Sequence, residues 1–90
     1  MKKKEIEQAA KLFKAISNPN RLKVLFVIGD GERHVNEIVQ ALGTYQGRVA
    51  WDLAVLREAN IVSFSKDGTR VYYMIKDKRI LTILKTLKLL

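Results

Sequence analysis

Gln46, Arg48 and Trp51 stand close together in the stretch TYQGRVAWDLAVLREANI, residues 44–61. Arginine can take a guanine through two hydrogen bonds, worth about 1–3 kcal/mol of discrimination, and glutamine can take an adenine in the same way. Thr44, Tyr45, Gln46 and Gly47 open a helical pattern. Free N–H groups and the positive dipole end at such a start favour a phosphate, and Gly47 lets the backbone come close to it. Lys66, Thr69 and Arg70 flank a polar Lys-Asp-Gly-Thr tip and suit contact with a nucleic-acid backbone or minor groove. Lys66 and Arg70 fit a solvated hairpin tip as well. Trp51 has two readings: it rests on a sugar, a thymine methyl or an unstacked base, or it folds back under the hairpin or into a partner. Arg57 and Glu58 read as a surface pair, and Tyr72 and Tyr73 as packing.

A scaffold must hold these groups. At 3.6 residues per turn Val49, Leu53 and Leu56 share one face, which has to pack on a core. Gly47, Arg48, Trp51, Val55 and Glu58 fall on the far side. Gly43 closes the helix before, VNEIVQAL, and Asn60 can take a left-handed C-cap conformation. Two short helices joined by a tight turn outline a helix-turn-helix, whose second helix enters the DNA major groove. An ordinary core hairpin fits the pair alone; the strand, polar tip and second strand that follow make the pattern a winged helix.

Upstream, Lys2 to Ile16 reads as a helix with Ile6, Ala9, Ala10, Phe13 and Ile16 at three- and four-residue spacings. Asn18-Pro19 ends it and starts the next, with Asn18 as N-cap and Pro19 at the first helical position; this second helix runs over Arg21 to Ile28. Glu32-Arg33-His34 is a short extended link, too brief to establish a strand. Val62 to Lys66 alternates as a half-buried strand with Val62 and Phe64 inward. Asp67-Gly68 is a strong turn signal, and Arg70 to Ile75 returns with Val71, Tyr73 and Ile75 on one face. Asp77 to Leu90 is the last helix, apolar on more than one face. Surplus apolar surface on both terminal helices, 2–16 and 77–90, points to a homodimer through Ile6, Ala9, Phe13, Ile80, Ile83, Leu84 and Leu87. The competing arrangement lays both helices across one core.

Composition narrows the function. Ninety residues make one domain, 1–90, and there is no cysteine, so no disulfide and no thiolate metal site. The basic start MKKKEIEQAAKLF is followed by no apolar run of signal-peptide length, and no stretch approaches a membrane span. The expectation is a soluble, cytoplasmic protein. Seventeen Lys and Arg against nine Asp and Glu leave a formal charge of +8. Such a charge fits a polyanionic partner, double-stranded DNA first, although lysines kept for solubility would look the same. No Gly-rich phosphate loop, nucleophile with a base, or paired carboxylates suggest an enzyme.

The segments KLFKAISNPNRLKVLFVI, GERHVNEIVQALG, DLAVLREANIV and GTRVYYMI resemble the ArsR-type winged-helix repressors, bacterial and archaeal regulators best known as metal sensors. The likeness runs from about Ala10 to Ile80. It implies five helices and a two-stranded wing, a homodimer through the first and last helices, and repression from a two-fold symmetric operator. Metal-sensing members often carry two cysteines at the start of the third helix; here the run is His34-Val35-Asn36-Glu37-Ile38. Others hold zinc through an Asp-x-His start of the last helix; here it is Asp77-Lys78-Arg79, and His34 is the chain's only histidine. A tetrahedral zinc site needs four N, S or carboxylate ligands, so metal sensing is not carried over, and His34 reads as a helix N-cap or surface residue. Where members show a polar reading helix such as S-Q-S-T-V-S-R-H-L, this chain keeps Gln46, Val49 and Leu53 but has Ala50, Trp51 and Asp52. Asp52 is expected on the outer face, where it repels phosphate unless neutralised or accepting from a cytosine amino group.

These readings converge on a mainly α fold with a small β-hairpin (α+β): a winged helix-turn-helix of about five helices plus a two-stranded wing. The expected function is sequence-specific DNA binding by a homodimeric transcriptional repressor, with no cofactor, no metal and an unknown effector. The alternative is a winged-helix architectural or protein-interaction module, favoured by Trp51 and Asp52 on the outer face.

Overall fold

The computed structural model describes all 90 residues. Its elements are α1 (Lys3–Ile16), α2 (Pro19–Ile28), β1 (Glu32–His34), α3 (Val35–Leu42), α4 (Gln46–Glu58), β2 (Val62–Asp67), β3 (Arg70–Ile75) and α5 (Lys78–Thr86). The three strands form one antiparallel sheet in the order β1-β3-β2. The extended link at 32–34 is therefore a strand: Glu32, Arg33 and His34 pair with Met74, Tyr73 and Tyr72. The sheet has three strands where two were expected, because β3 has a second edge that the hairpin alone leaves unpaired.

Local chemistry sets the helix boundaries. The Asn18 side chain accepts from the Arg21 N–H at 3.1 Å, with Pro19 in the first turn. α2 thus begins two residues before the apolar pattern does. The Arg21 side chain donates to the Ala15 carbonyl and ties the end of α1 to α2. His34 is the N-cap of α3: its Nδ1 accepts from the Asn36 N–H at 3.1 Å, and Glu37 accepts from the His34 N–H at 2.9 Å, a reciprocal capping box. Gly43 ends α3 at φ +62 and Asn60 turns the chain after α4 at φ +59, both in the left-handed conformation that closes a helix.

The core is one cluster. Val24, Leu25 and Ile28 of α2, Ile38 of α3, and Val49, Leu53 and Leu56 of α4 meet Ile61, Val62 and Ile75 at the sheet and Ile80 and Leu84 of α5. From α1 only Ala15 and Ile16 are buried in it. Ile6, Ala9, Ala10 and Phe13 are left in solvent, so α1 does not lie across the core as the competing arrangement required.

Three expectations are corrected. Ile80 and Leu84 were counted as dimerisation residues, but they are 0% and 1% exposed inside their own protomer and have no surface to offer. The last helix ends at Thr86 rather than Leu90, because Lys88 takes φ +59 and the Leu89 N–H turns back to the Leu84 carbonyl. Phe64 is 39% exposed rather than inward. After Val62 the hairpin runs out past the core, and Phe64 is covered only by Tyr73 and by the Arg57 guanidinium, 4.7 Å from its ring centre. Arg57 accordingly pairs with a ring and not with Glu58.

Asp77 caps α5, accepting from the Arg79 N–H at 3.0 Å. Hydrogen bonding from the Arg79 guanidinium holds the Asp77 carboxyl below its ordinary range. A carboxyl depressed in the folded state stabilises above its unfolded pKa, and that contribution is lost as pH falls through the folded value.

The α3 cap gives a measurable expectation. His34→Ala should lower the unfolding free energy by about 1 kcal/mol, whereas His34→Ser should recover most of it. Urea unfolding followed by circular dichroism reads both, and equal midpoints for wild type and His34→Ala would show that the cap contributes nothing.

Candidate nucleic-acid interface

α4 has one face in the core and one in solvent. Val49, Leu53 and Leu56 are buried, as their spacing required. On the outer side Tyr45, Gln46, Gly47, Ala50, Trp51, Ala54 and Glu58 are exposed, while Arg48 and Val55 are half-buried. Trp51 is 65% exposed. It does not fold back under the hairpin, and with Ala54, Val55 and Glu58 it lines a shallow, mostly apolar hollow.

The start of α4 is open. Tyr45 is its N-cap and makes no side-chain cap bond, in contrast to Asn18, His34 and Asp77 on α2, α3 and α5. The Arg48 and Val49 N–H groups both donate to the Tyr45 carbonyl. The Gln46 and Gly47 N–H groups find no acceptor in the protein and carry the positive end of the helix dipole. A Cβ on Gly47 would stand 3.4 Å from the exposed Tyr45 ring, in ordinary contact with it. Thr44 sits half-buried in the turn, its N–H bonded to the Val39 carbonyl.

Lys66, Thr69 and Arg70 are exposed at the tip of the β2–β3 hairpin. Asp67 pairs with Arg70 across a two-residue connection, and Gly68 at φ +65 supplies the positive dihedral that a primed hairpin turn needs at its first central position. Between α4 and β3 runs an open groove of about 420 Å³ lined by Ala50, Ala54, Arg57, Glu58 and Tyr73. The expected residues thus occupy two exposed places: the first two turns of α4, and the hairpin tip.

Asp52 is where sequence reasoning went wrong. It is not on the outer face but 2% exposed, the one buried charged residue of the chain. Its Oδ2 lies 3.5 Å from the Arg48 Nε, one helical turn earlier. Arg48 therefore serves an internal partner as well as the surface. The two sit in a narrow polar crevice between α2 and α4, with Asn20, Lys23, Leu42, Thr44 and Val49 around them. The signal available beforehand was its place in the apolar stripe, three residues after Val49 and four before Leu56. Burial of Asp52 takes its charge off the outer face of α4, where Glu58 remains, and removes one of the two features that favoured a protein-interaction module.

No group of His, Cys, Asp and Glu is placed to hold a metal ion. Where sensing relatives carry thiolates this chain offers His34 and Asn36, and the His34 Nδ1 lone pair is already taken by the Asn36 N–H. The donors present do not fit a metal site. No helix is long and apolar enough to cross a membrane.

Residues 18–63 match the model of the bacterial regulatory protein family arsR. The chain belongs to the ArsR family. It is a DNA-binding transcriptional regulator with a winged helix-turn-helix fold, and not an enzyme. A helix-turn-helix-type transcriptional regulator of Methanocaldococcus jannaschii, MJ1325, is 36% identical over 80 residues, 88% of this chain and 90% of that protein. A probable mercury resistance operon repressor of Streptomyces lividans is 36% identical over 74 residues, 82% of this chain but 59% of that longer protein. The solution structure of the homodimeric winged helix-turn-helix DNA-binding domain of Mb0332 from Mycobacterium bovis superposes with a TM-score of 0.87 at 29% identity, covering 97% of this chain and 81% of that one.

In this ArsR-family chain Trp51 separates the exposed face of α4 from its buried one. Trp51→Ala should change stability by no more than about 0.5 kcal/mol, as surface substitutions do, and the DNA-free protein should emit like a solvated indole. Leu53→Ala, from the buried stripe, should cost about 2–5 kcal/mol. A blue-shifted emission without DNA, or equal losses for the two variants, would place Trp51 inside.

Proposed function

We propose that this regulator acts in the cytoplasm as a homodimeric repressor. It reads a pseudo-palindromic operator with α4, clamps the flanking backbone with the hairpin tip, and works without a metal effector. The observation that carries the reading is the open first turn of α4: two free backbone N–H groups, an exposed Gln46, and Arg48 and Trp51 beside them. Phosphate contacts at such a start fix register, and side chains on the same turns read base edges. Lys66 and Arg70 add positive charge, and Thr69 a hydroxyl, at a second point of contact.

The dimer is supported by apolar surface that one protomer cannot cover. Ile6 is 57% exposed, Phe13 56% and Leu87 59%; Ala9 lies in the α1 row and Ile83 is half-buried on α5. A two-fold pairing of these terminal helices would hide them and set two copies of α4 about one helical turn of DNA apart, or a small multiple of it.

Band shifts against genomic fragments test the reading. Affinity should fall by orders of magnitude between about 50 and 200 mM salt if the dimer covers roughly six to ten phosphates. Arg48→Ala should flatten the sequence preference, while Lys66→Ala should weaken all sequences alike. Absence of binding at low salt would end the proposal.

Light scattering on the intact chain should give twice its 10.3 kDa mass. A folded monomer would remove the dimer and with it the two-fold operator. Zinc, nickel or cadmium should alter neither affinity nor melting temperature, and a stoichiometric zinc site abolished by His34→Ala would contradict that.

A further inference from the structure

We propose that Asp52 is a positioning residue for sequence reading: its buried carboxylate holds the Arg48 guanidinium in one pose, so that Arg48 discriminates between bases rather than attracting phosphate in general. The inference rests on α4 being the reading helix.

Four observations lead to it. Asp52 is 2% exposed in a chain where every other charged side chain reaches solvent. Its ion-pair partner is Arg48, the one basic residue in the first two turns of α4. The contact is made by Nε at 3.5 Å, an ion-pair distance longer than a hydrogen bond, and the Arg48 side chain makes no hydrogen bond within the protein. The two terminal nitrogens, the pair that engages guanine O6 and N7, are thus left without a protein acceptor. Finally, the Arg48 side chain is 39% exposed and that of Asp52 3%, so the pair runs from the core to the surface.

Stability alone does not account for this arrangement. Desolvating two charges roughly cancels their attraction, and well-packed apolar residues of similar size often do as well. An anchored arginine gains something else. A free arginine samples many rotamers and meets phosphates from most of them, whereas a held one presents its fork in a single direction. The carboxylate also offsets one positive charge near the DNA, which weakens attraction that is blind to sequence. Asn20, Lys23 and Thr44 line the same crevice and keep Asp52 in a polar setting on the α2 side.

The test is Asp52→Asn, which keeps shape and removes charge, measured on a selected operator and on random-sequence DNA. The variant should bind random DNA more tightly than wild type, with a log–log salt slope steeper by about 1 per protomer. Its discrimination at the base pair that depends on Arg48 should fall about tenfold. In an Arg48→Ala background the same change should leave discrimination unaltered. A merely structural role would weaken all DNA alike and in both backgrounds. Wild type with a clear sequence preference, and Asp52→Asn with the same one, overturns the tether while leaving α4 as reader; wild type with no preference at all overturns both. Should Asp52→Asn not fold, nitrogen-15 relaxation of arginine side chains in DNA-free wild type decides. Arg48 Nε–H must be more ordered than Arg70 Nε–H at the hairpin tip, and equal mobility refutes the proposal.

Discussion

The rotation of α4 about its own axis is the constraint on which the rest of this protein depends. Val49, Asp52, Leu53 and Leu56 are its buried positions, and at about 100° per residue they span a single face. α2 supplies Val24, Leu25 and Ile28 against that face, α3 supplies Ile38, and the start of β2 with the residue before it supplies Val62 and Ile61. A helix gripped on one side by this many close-packed chains cannot roll without opening a void. Its outer residues are therefore fixed in direction as a by-product of core packing. Reading a base pair needs that fixity, because a side chain displaced by a fraction of a turn meets a different base or none.

The same packing explains the shape of the rest. A chain of 90 residues has too little interior to engage all of its helices. The interior goes to α2, α3 and α4 and to one face of α5, through Ile80 and Leu84. α1 contributes two residues at its C-terminal end and leaves its apolar row in water. The elements that hold the reading helix are thus complete within one protomer, while those at the ends are not. A partner copy on the terminal helices would complete the second set without disturbing the first, which lets operator spacing and base reading vary separately.

Periodicity made much of this legible. The Val49, Leu53, Leu56 stripe, the Asn18-Pro19 start of α2, the turn at Gly68 and the left-handed Asn60 all follow from local rules and are where those rules put them. What failed was information that is not local. An apolar count on the last helix could not say that Ile80 and Leu84 face their own core and Leu87 does not. Alternation along β2 predicted an inward Phe64, but it carries no sign of where the hairpin leaves the body. Glu32-Arg33-His34 has no strand signature of its own and is a strand because β3 offers it an edge. Asp52 was misplaced because a charged residue within an apolar stripe reads as belonging to the other face. Its spacing argues otherwise, three residues after Val49 and four before Leu56.

That misplacement bears on how a small basic protein can be selective. A formal charge of +8 draws it to any DNA, and this attraction grows with each unpaired cation on the reading face. Specificity is a difference between two affinities, so it improves when general attraction is reduced as well as when correct contacts are strengthened. An acidic side chain on the surface of α4 would repel the operator and competing DNA equally. Placed in the core beside Arg48, it keeps its charge off the exposed face of α4 and, in the role proposed for it, would set the charge and direction of the one arginine that the first two turns present. The fold already supplies the rigid wall that such a residue needs, since the same packing that stops α4 from rolling also holds the carboxylate still.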